Sequence, residues 1–382
     1  MEALQLIETI RPMVDDGEVP GAVVGVVDHG RTSVAAVGTT EPGGATAMTP
    51  DAVMRISSNT KPLVAAVVML LVQDGVLNLD DAVERFVPEL ADRRVLRRID
   101  GHPMDTVPAQ RSITIEDLLT MRMGFGFVPE SACPAMKDAE KAGLGFGPPD
   151  PSAMPSPDEW LARFARLPLL EQPGTAWRYD LAFGVLGIVL ARATGQSLDV
   201  LMRERLFTPL AMSQTGFVAT PQHLVPAFAQ SENGLMLFDN ILESRWSTPP
   251  AFPDARGGLV STASDLLRFA GMLLDNSGEL LSAESVAAMT SDQLTAEQRS
   301  GPSAQPFLDR GGWGYGMGVS DGECGRRYGW GGGLGTLWYS WPEHRAAVVL
   351  MTQVLPPSTK LFDAFTSAAE AILNPSPPIS GL

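Results

Sequence analysis

The chain has 382 residues, 45% apolar and 19% charged, which excludes a disordered protein and allows a large core in two domains or in one carrying a big insertion. Its formal charge of -16 repels nucleic acid and anionic membrane surfaces, so neither is expected as a partner. Two cysteines, Cys133 and Cys324, make neither a disulfide framework nor a metal cluster.

Residues 1–5 show no basic start leading into an apolar segment, and the longest apolar runs, 63–72 and 346–351, are too short to span a bilayer. A cytoplasmic location is the expectation. Residues 4–14 have helical spacing of apolar side chains. Residues 21–28 read as a buried strand, and Gly30 closes a turn into 33–37, predicting an antiparallel hairpin. A Gly/Thr/Pro loop at 39–50 leads to Arg55-Ile56-Ser57-Ser58-Asn59-Thr60-Lys61-Pro62 and the apolar run 63–72. This stretch predicts a short strand, a turn and a helix that stops near Asp74-Gly75.

From 80 to about 249 short helices and loops dominate. One helix covers 115–121, opened by Thr114 with Asp117 three residues on, a capping arrangement. Residues 128–157, rich in Pro, Gly, Ala and Ser, read as a long surface excursion. Helices follow at 160–167, at 183–193 with Gly195 as its stop, and at 198–206. Residues 257–265 read as a turn feeding a capped helix over 265–274, with another at 283–289. Strands are then predicted at 313–319, 326–330, 334–341 and 346–352, the last two joined by a turn at Pro342-Glu343-His344-Arg345. A helix over 358–373 precedes a Pro/Ser tail at 374–382 that is expected to fray.

Strands at both ends with helices between them predict an α/β (α+β) fold: an antiparallel sheet flanked by terminal helices, with a mostly helical domain inserted. The expected division is a discontinuous α/β domain, 1–80 and 250–382, and a helical domain, 81–249, with the active site between them. The four histidines are scattered and no metal-ligand spacing is visible, so neither metal nor cofactor is expected.

The chemistry concentrates in Ser58-Asn59-Thr60-Lys61. Residues three apart share a helix face, so the Ser58 hydroxyl and the Lys61 amine can touch. Pro62 suits a helix start, where its missing N–H has no partner to lose. The helix N-terminus favours an alkoxide and is expected to lower the pKa of Lys61, the conditions for an activated serine. Of four lysines, Lys61 alone stands three residues after a serine. A helix cap at Ser58 with Lys61 in solvent would give the same letters. Tyr179, at a loop-to-helix junction, offers a phenol that can serve as general base, or else a half-buried packing residue. The run Gly329-Trp330-Gly331-Gly332-Gly333-Leu334-Gly335 lets a carbonyl approach the backbone and an edge N–H meet an oxyanion, unless it is a plain bulge or hairpin.

A second serine competes. Gly318-Val319-Ser320-Asp321-Gly322 matches G-x-S-x-G, which needs a strand before the serine and a helix after it. Residues 323–329 make a poor helix and Asp321-Gly322 reads as a hairpin turn, so Ser320 is read as a turn residue.

These segments, taken with Val19-Pro20-Gly21-Ala22, Ile115-Glu116-Asp117-Leu118-Leu119-Thr120, Trp177-Arg178-Tyr179, 206–212 and 257–263, resemble the serine β-lactamase/penicillin-binding-protein-like superfamily around class C β-lactamases. Within it the chain is most similar to family VIII carboxylesterases, in order and in spacing over most of its length. The resemblance implies Ser58 as acylated nucleophile, Lys61 and Tyr179 as the groups that deprotonate it, and the N–H groups of Ser58 and Gly333 as oxyanion hole. It also implies Trp330, Gly331 and Gly332 as substrate-binding residues and a small-molecule ester, short-chain, as substrate. A decoy G-x-S-x-G is tolerated in that esterase family. β-Lactamases of this type carry Tyr-x-Asn and Lys-Thr-Gly, where this chain has Tyr179-Asp180-Leu181 and Trp330-Gly331-Gly332. Those departures remove the groups that would hold a β-lactam's amide and carboxylate. Met121-Arg122-Met123-Gly124-Phe125 likewise replaces a more polar loop. The rivals are a β-lactamase, a D-amino-acid peptidase or transesterase of the same superfamily, and a non-catalytic penicillin-recognising module.

Overall fold

The computed structural model describes residues 1–129, 133–220, 222–308 and 311–374; the tail expected to fray lies outside them from 375 onward. Helix α1 (Ala3–Asp15) leads into the hairpin β1 (Gly21–Asp28) and β2 (Arg31–Gly38). The Ser57–Asn59 turn then feeds α2 (Thr60–Gln73), which ends at Gly75 with φ +70°. The middle of the chain supplies α3 (Ile115–Leu119), α4 (Leu181–Thr194) and a hairpin, β3 (Ala227–Ser231) with β4 (Gly234–Asp239). Helix α5 (Ala263–Asp275) precedes the late strands β5 (Gly312–Trp313), β6 (Gly318–Gly322), β7 (Gly325–Gly332), β8 (Thr336–Trp341), β9 (Ala346–Met351) and β10 (Val354–Leu355), and α6 (Thr359–Leu373) closes the described chain.

Seven strands form one antiparallel sheet in the order β2-β1-β9-β8-β7-β6-β5, so the two ends of the chain pair as neighbours, Val23 opposite Met351 through Asp28 opposite Ala346. Strands β1 and β9 are buried on both faces, which is why they read as unbroken apolar runs. Alternation sorts their side chains. Val23, Val27, Ala347, Val349 and Met351 join a core with α2 and α5, while Val24, Val26, Val348 and Leu350 join α1 and α6. Helix α2 is apolar all round because it runs through the core, buried from Thr60 to Leu71. The capping box at Thr114 and Asp117 forms as expected, and Gly195 stops α4 in the left-handed conformation.

Four elements differ from expectation. Within 128–157, read as a surface excursion, a helix covers Pro134–Lys141, and Ala135, Ala139 and Leu144 are buried in the core. The strand predicted at 313–319 is two, β5 and β6, because the chain leaves the sheet between them to press on α2. At Gly316 (φ +80°) a Cβ would lie 2.7 Å from the Ala65 Cβ and 2.9 Å from the Lys61 carbonyl oxygen, a space only glycine fits. The helix predicted at 198–206 is an α-helical turn, Leu198–Met202, continued by a π-helical one, Arg203–Phe207. The stretch expected to hold helices and loops contains the β3–β4 hairpin, turned by Glu232-Asn233 and paired on one side with β10. Asn233-Gly234 was the available turn signal. Among the described residues no single helix is long and apolar enough to cross a membrane.

Arg55, fully buried just before the Ser57 turn, ties this hairpin to the sheet. Its guanidinium pairs with Asp239 on β4, and donates to Gln353 Oε1 at 3.0 Å and to the Val225 carbonyl at 2.6 Å. Burial pushes the Arg55 pKa down, against the opposing pull of Asp239. Asp239→Ala leaves that cation buried without its counter-charge, and the expected loss is about 3–5 kcal/mol in urea unfolding.

Candidate active site

The site begins at a strained turn. Ser57 has φ +45°, which bends the chain so that Ser57–Asn59 form one 3-10 turn before α2. Lys61 sits in the first turn of α2, fully buried, and its Nζ donates to Ser58 Oγ at 3.1 Å, Asp180 Oδ1 at 2.8 Å and the Arg256 carbonyl at 2.6 Å. Three N–H bonds thus meet three acceptors. Burial alone would lower the Lys61 pKa, but the charges of Asp180, Tyr179 and Asp254 outweigh it and hold the amine above its ordinary value. The lowered pKa expected from the helix N-terminus is therefore reversed: a carboxylate in contact wins over a partial charge.

That carboxylate belongs to Asp180, which stands at the N-terminus of α4 with φ +88° and ψ −66°, a conformation that L side chains rarely adopt. Burial works to raise its pKa, yet Lys61 and Arg256 prevail and hold it below the usual carboxylate range. Arg256 Nη1 lies 3.7 Å from Asp180 Oδ2, and Arg256 Nη2 2.7 Å from Asp254 Oδ2. Lys61, Asp180, Arg256 and Asp254 form a row of alternating charges.

Tyr179 enters from the loop before α4. Its ring stacks on Phe307 with centroids 4.4 Å apart, leans on Trp177 at 5.6 Å, and passes 4.7 Å from Lys61 Nζ. The phenol oxygen accepts a hydrogen bond from Trp330 Nε1 at 2.7 Å. Trp330 is braced in turn by the edge of Trp313, centroids 4.7 Å apart.

A cleft of about 1020 Å³ opens over Ser58, Tyr179, Asp180 and Gly333. Its other wall comes from the 128–157 excursion, including Val128, Met136 and Phe146, so this segment borders the site. Phe127 also lines it, while Met121, Met123 and Phe125 of the apolar loop are buried in the core behind. Trp330, Gly331 and Gly332 do not line the cleft. Trp330 lies behind Tyr179, and a Cβ at Gly331 would face Phe362 of α6 at 3.5 Å. A Cβ at Gly332 would sit 2.3 Å from the Ile56 carbonyl oxygen, so β7 ends flat against the chain entering the Ser58 turn. Ser320 lies on β6 opposite Arg327 of β7, in a hairpin with no helix after it, and borders a separate hollow of about 370 Å³ beyond Trp330.

The structure thus brings Ser58, Lys61, Tyr179 and Gly333 to one cleft. Sequence reasoning did not find Arg256 and Asp254, which no motif marks. Asp180 was visible only as an unusual neighbour of Tyr179. Among the described residues, no group of three or more His, Cys, Asp or Glu side chains is placed to hold a metal ion.

The protein family described as Beta-lactamase matches residues 6–372. Protein Rv1367c of Mycobacterium tuberculosis (strain ATCC 25618 / H37Rv) is 36% identical over 344 residues, covering 87% of this chain and 83% of its own. Esterase EstB of Burkholderia gladioli is 31% identical over 285 residues, covering 70% and 67%. Among solved structures, EstCE1, "a hydrolase with promiscuous acyltransferase activity", superposes with a TM-score of 0.82 at 23% identity, covering 96% of this chain and 98% of its own. Unliganded simvastatin synthase (LovD) from Aspergillus terreus gives 0.77 at 19% identity, covering 97% and 98%. These two share the fold.

Trp330→Phe keeps an aromatic ring, smaller than the indole, and deletes the N–H given to the Tyr179 oxygen. The expected result is roughly tenfold slower labelling of Ser58 by a fluorophosphonate, with the unfolding midpoint little changed.

Proposed function

This chain belongs to the β-lactamase family and is a serine hydrolase, and we propose that it is a carboxylesterase cleaving short-chain esters through an acyl-enzyme on Ser58. The observation that carries this reading is the 3.1 Å contact of Lys61 Nζ with Ser58 Oγ, in a cleft that Tyr179 and Gly333 also border. We place this cleft at the seam between an α/β unit, 1–80 with 250–382, and the inserted unit, 81–249.

In the reactive form Tyr179 has given up its phenolic proton, and its oxygen keeps the Trp330 N–H. Ser58 Oγ bonds to the ester carbonyl carbon as its proton passes to the Tyr179 oxygen. The carbonyl oxygen becomes an anion held by the N–H groups of Ser58 and Gly333, a donor pair in which each member is typically worth about 3 kcal/mol. The Lys61 ammonium steadies the Ser58 oxygen throughout. The C–O bond to the alcohol breaks and the alcohol leaves with the proton from Tyr179. Water then attacks the acyl-enzyme, gives its proton to Tyr179, and releases the acid as Ser58 recovers a proton.

The lining supports an ester over a β-lactam. Arg256, which lines the cleft, and Lys61, buried against Ser58, are engaged with Asp254 and Asp180, so among the described lining residues no cation is left unpaired for a substrate carboxylate. The relatives named esterase point the same way. The size of the cleft favours a second reading, since it has room for an acceptor alcohol beside the acyl group, and acyl transfer to that alcohol would use the same steps.

Ser58→Ala is expected to abolish turnover of p-nitrophenyl butyrate, and Tyr179→Phe to reduce it by about 10²–10⁴-fold. Ser320→Ala is expected to leave it unchanged; the reverse pattern in steady-state assays would move the nucleophile to Ser320. A p-nitrophenyl ester chain-length series run beside nitrocefin should show the short acyl chains turned over fastest and the cephalosporin poorly. Faster nitrocefin cleavage would make the protein a β-lactamase, while no labelling of Ser58 by a fluorophosphonate would favour a non-catalytic module. Product analysis with added alcohol separates hydrolysis from transfer.

A further inference from the structure

We infer that Asp180 is the counter-ion that keeps Lys61 an ammonium, leaving the Ser58 proton no acceptor but Tyr179. This rests on the reading of Ser58 as the acylated nucleophile and adds a positioning residue to it.

The contacts around Lys61 suit the charged form, with a carboxylate among them. An ammonium has three N–H bonds, and the three polar neighbours, Ser58 Oγ, Asp180 Oδ1 and the Arg256 carbonyl, are all placed to accept. A neutral amine would have two N–H bonds and a lone pair, and that lone pair would have to face an oxygen. A carbonyl and a carboxylate cannot turn a donor toward it. Only the Ser58 hydroxyl could, with the two N–H bonds left for Asp180 and the Arg256 carbonyl, and the carboxylate 2.8 Å from Nζ favours the ammonium over that arrangement.

The backbone at Asp180 carries the second observation. At φ +88° glycine is the unstrained choice, and a residue with a side chain there holds its place against that strain. What the side chain supplies is a carboxylate 2.8 Å from one cation and 3.7 Å from another. The groups facing Lys61 are Ser58 from the turn before α2, Tyr179 and Asp180 from the loop before α4, and Arg256 and Asp254 from the loop before α5. Apart from Tyr179, two cations and two carboxylates balance, and loss of the Asp180 charge removes the carboxylate in contact with Lys61. The raised Lys61 pKa agrees.

The sign follows. A raised pKa keeps the ammonium at higher pH, so the alkaline fall in Ser58 acylation lies above the usual lysine range. Asp180→Asn keeps the size and removes the charge, and an opposite charge at this distance is worth about 1–3 pH units. The experiment is the pH profile of Ser58 labelling by a fluorophosphonate in the wild type and in Asp180→Asn. It is paired with an NMR titration of 13Cε-labelled lysine, where four lysines give four resonances and Lys61→Arg identifies the one of interest. The expected result is that the alkaline limb and the Lys61 titration both move down by about one unit or more. Asp180→Gly, which also relieves the backbone, should do the same and serves if the Asn variant folds poorly. A uniform drop in rate with both curves unmoved assigns Asp180 a structural role and overturns the inference. So does a faster reaction at neutral pH with the acidic limb shifted down, because Lys61 as free amine would then be the base. A Lys61 titration that moves while the alkaline limb stays overturns the link to acylation. Absence of Ser58 labelling in the wild type overturns the esterase reading and that link together, while the titration still reports whether Asp180 sets the charge on Lys61.

Discussion

One buried ammonium joins the parts of this molecule that do the chemistry. Lys61 reaches the turn before its own helix through Ser58, the mouth of α4 through Asp180, and the loop ahead of α5 through the Arg256 carbonyl. Removing a charge from water costs several kcal/mol unless it is paired and hydrogen-bonded, so these contacts stabilise the fold while they set the site. Such a lysine tolerates no idle neighbour. Each side chain around it satisfies a donor, balances a charge or braces something that does.

The sheet fixes the height at which those groups meet. Strand β7 runs to its end against the Ile56 carbonyl, which sets Gly333 at the same cleft as Ser58. The break between β5 and β6 lowers Gly316 onto the first turn of α2, and Trp313 of β5 and Trp330 of β7 pack with Phe307 around the Tyr179 ring. Ser58, Lys61 and Tyr179 are thus gathered beside the sheet and α2, and the 128–157 stretch supplies the cleft's other wall.

What could be read from the chain alone follows a physical divide. Local patterns were legible: the β1–β2 hairpin, the capping box at Thr114, the apolar run of α2, and the spacing of Ser58 and Lys61 on one turn. The resemblance to family VIII carboxylesterases added Tyr179 and Gly333, which no spacing joins to Ser58. Electrostatics failed, because the sign of the Lys61 shift depends on Asp180, 119 positions away, and on Tyr179 and Asp254, also distant in sequence. Side-chain direction was not legible either: Trp330 was expected at the substrate, and its indole N–H meets the Tyr179 phenol oxygen. The hairpin at 227–239 was missed because most of β4, with Met236 and Leu237 exposed, lacks the alternation that marks a half-buried strand.

The ring cluster around Tyr179 has an optical side. Of seven tryptophans in the chain, Trp177, Trp313 and Trp330 lie 4.7 to 6.3 Å, centroid to centroid, from Tyr179 or from one another's rings, so three indole emitters cluster around Tyr179. On the proposed acyl-enzyme reading, an acyl group arriving beside the phenol would alter the surroundings of those indoles. Occupancy could then be followed by intrinsic fluorescence on an unlabelled sample with a colourless substrate.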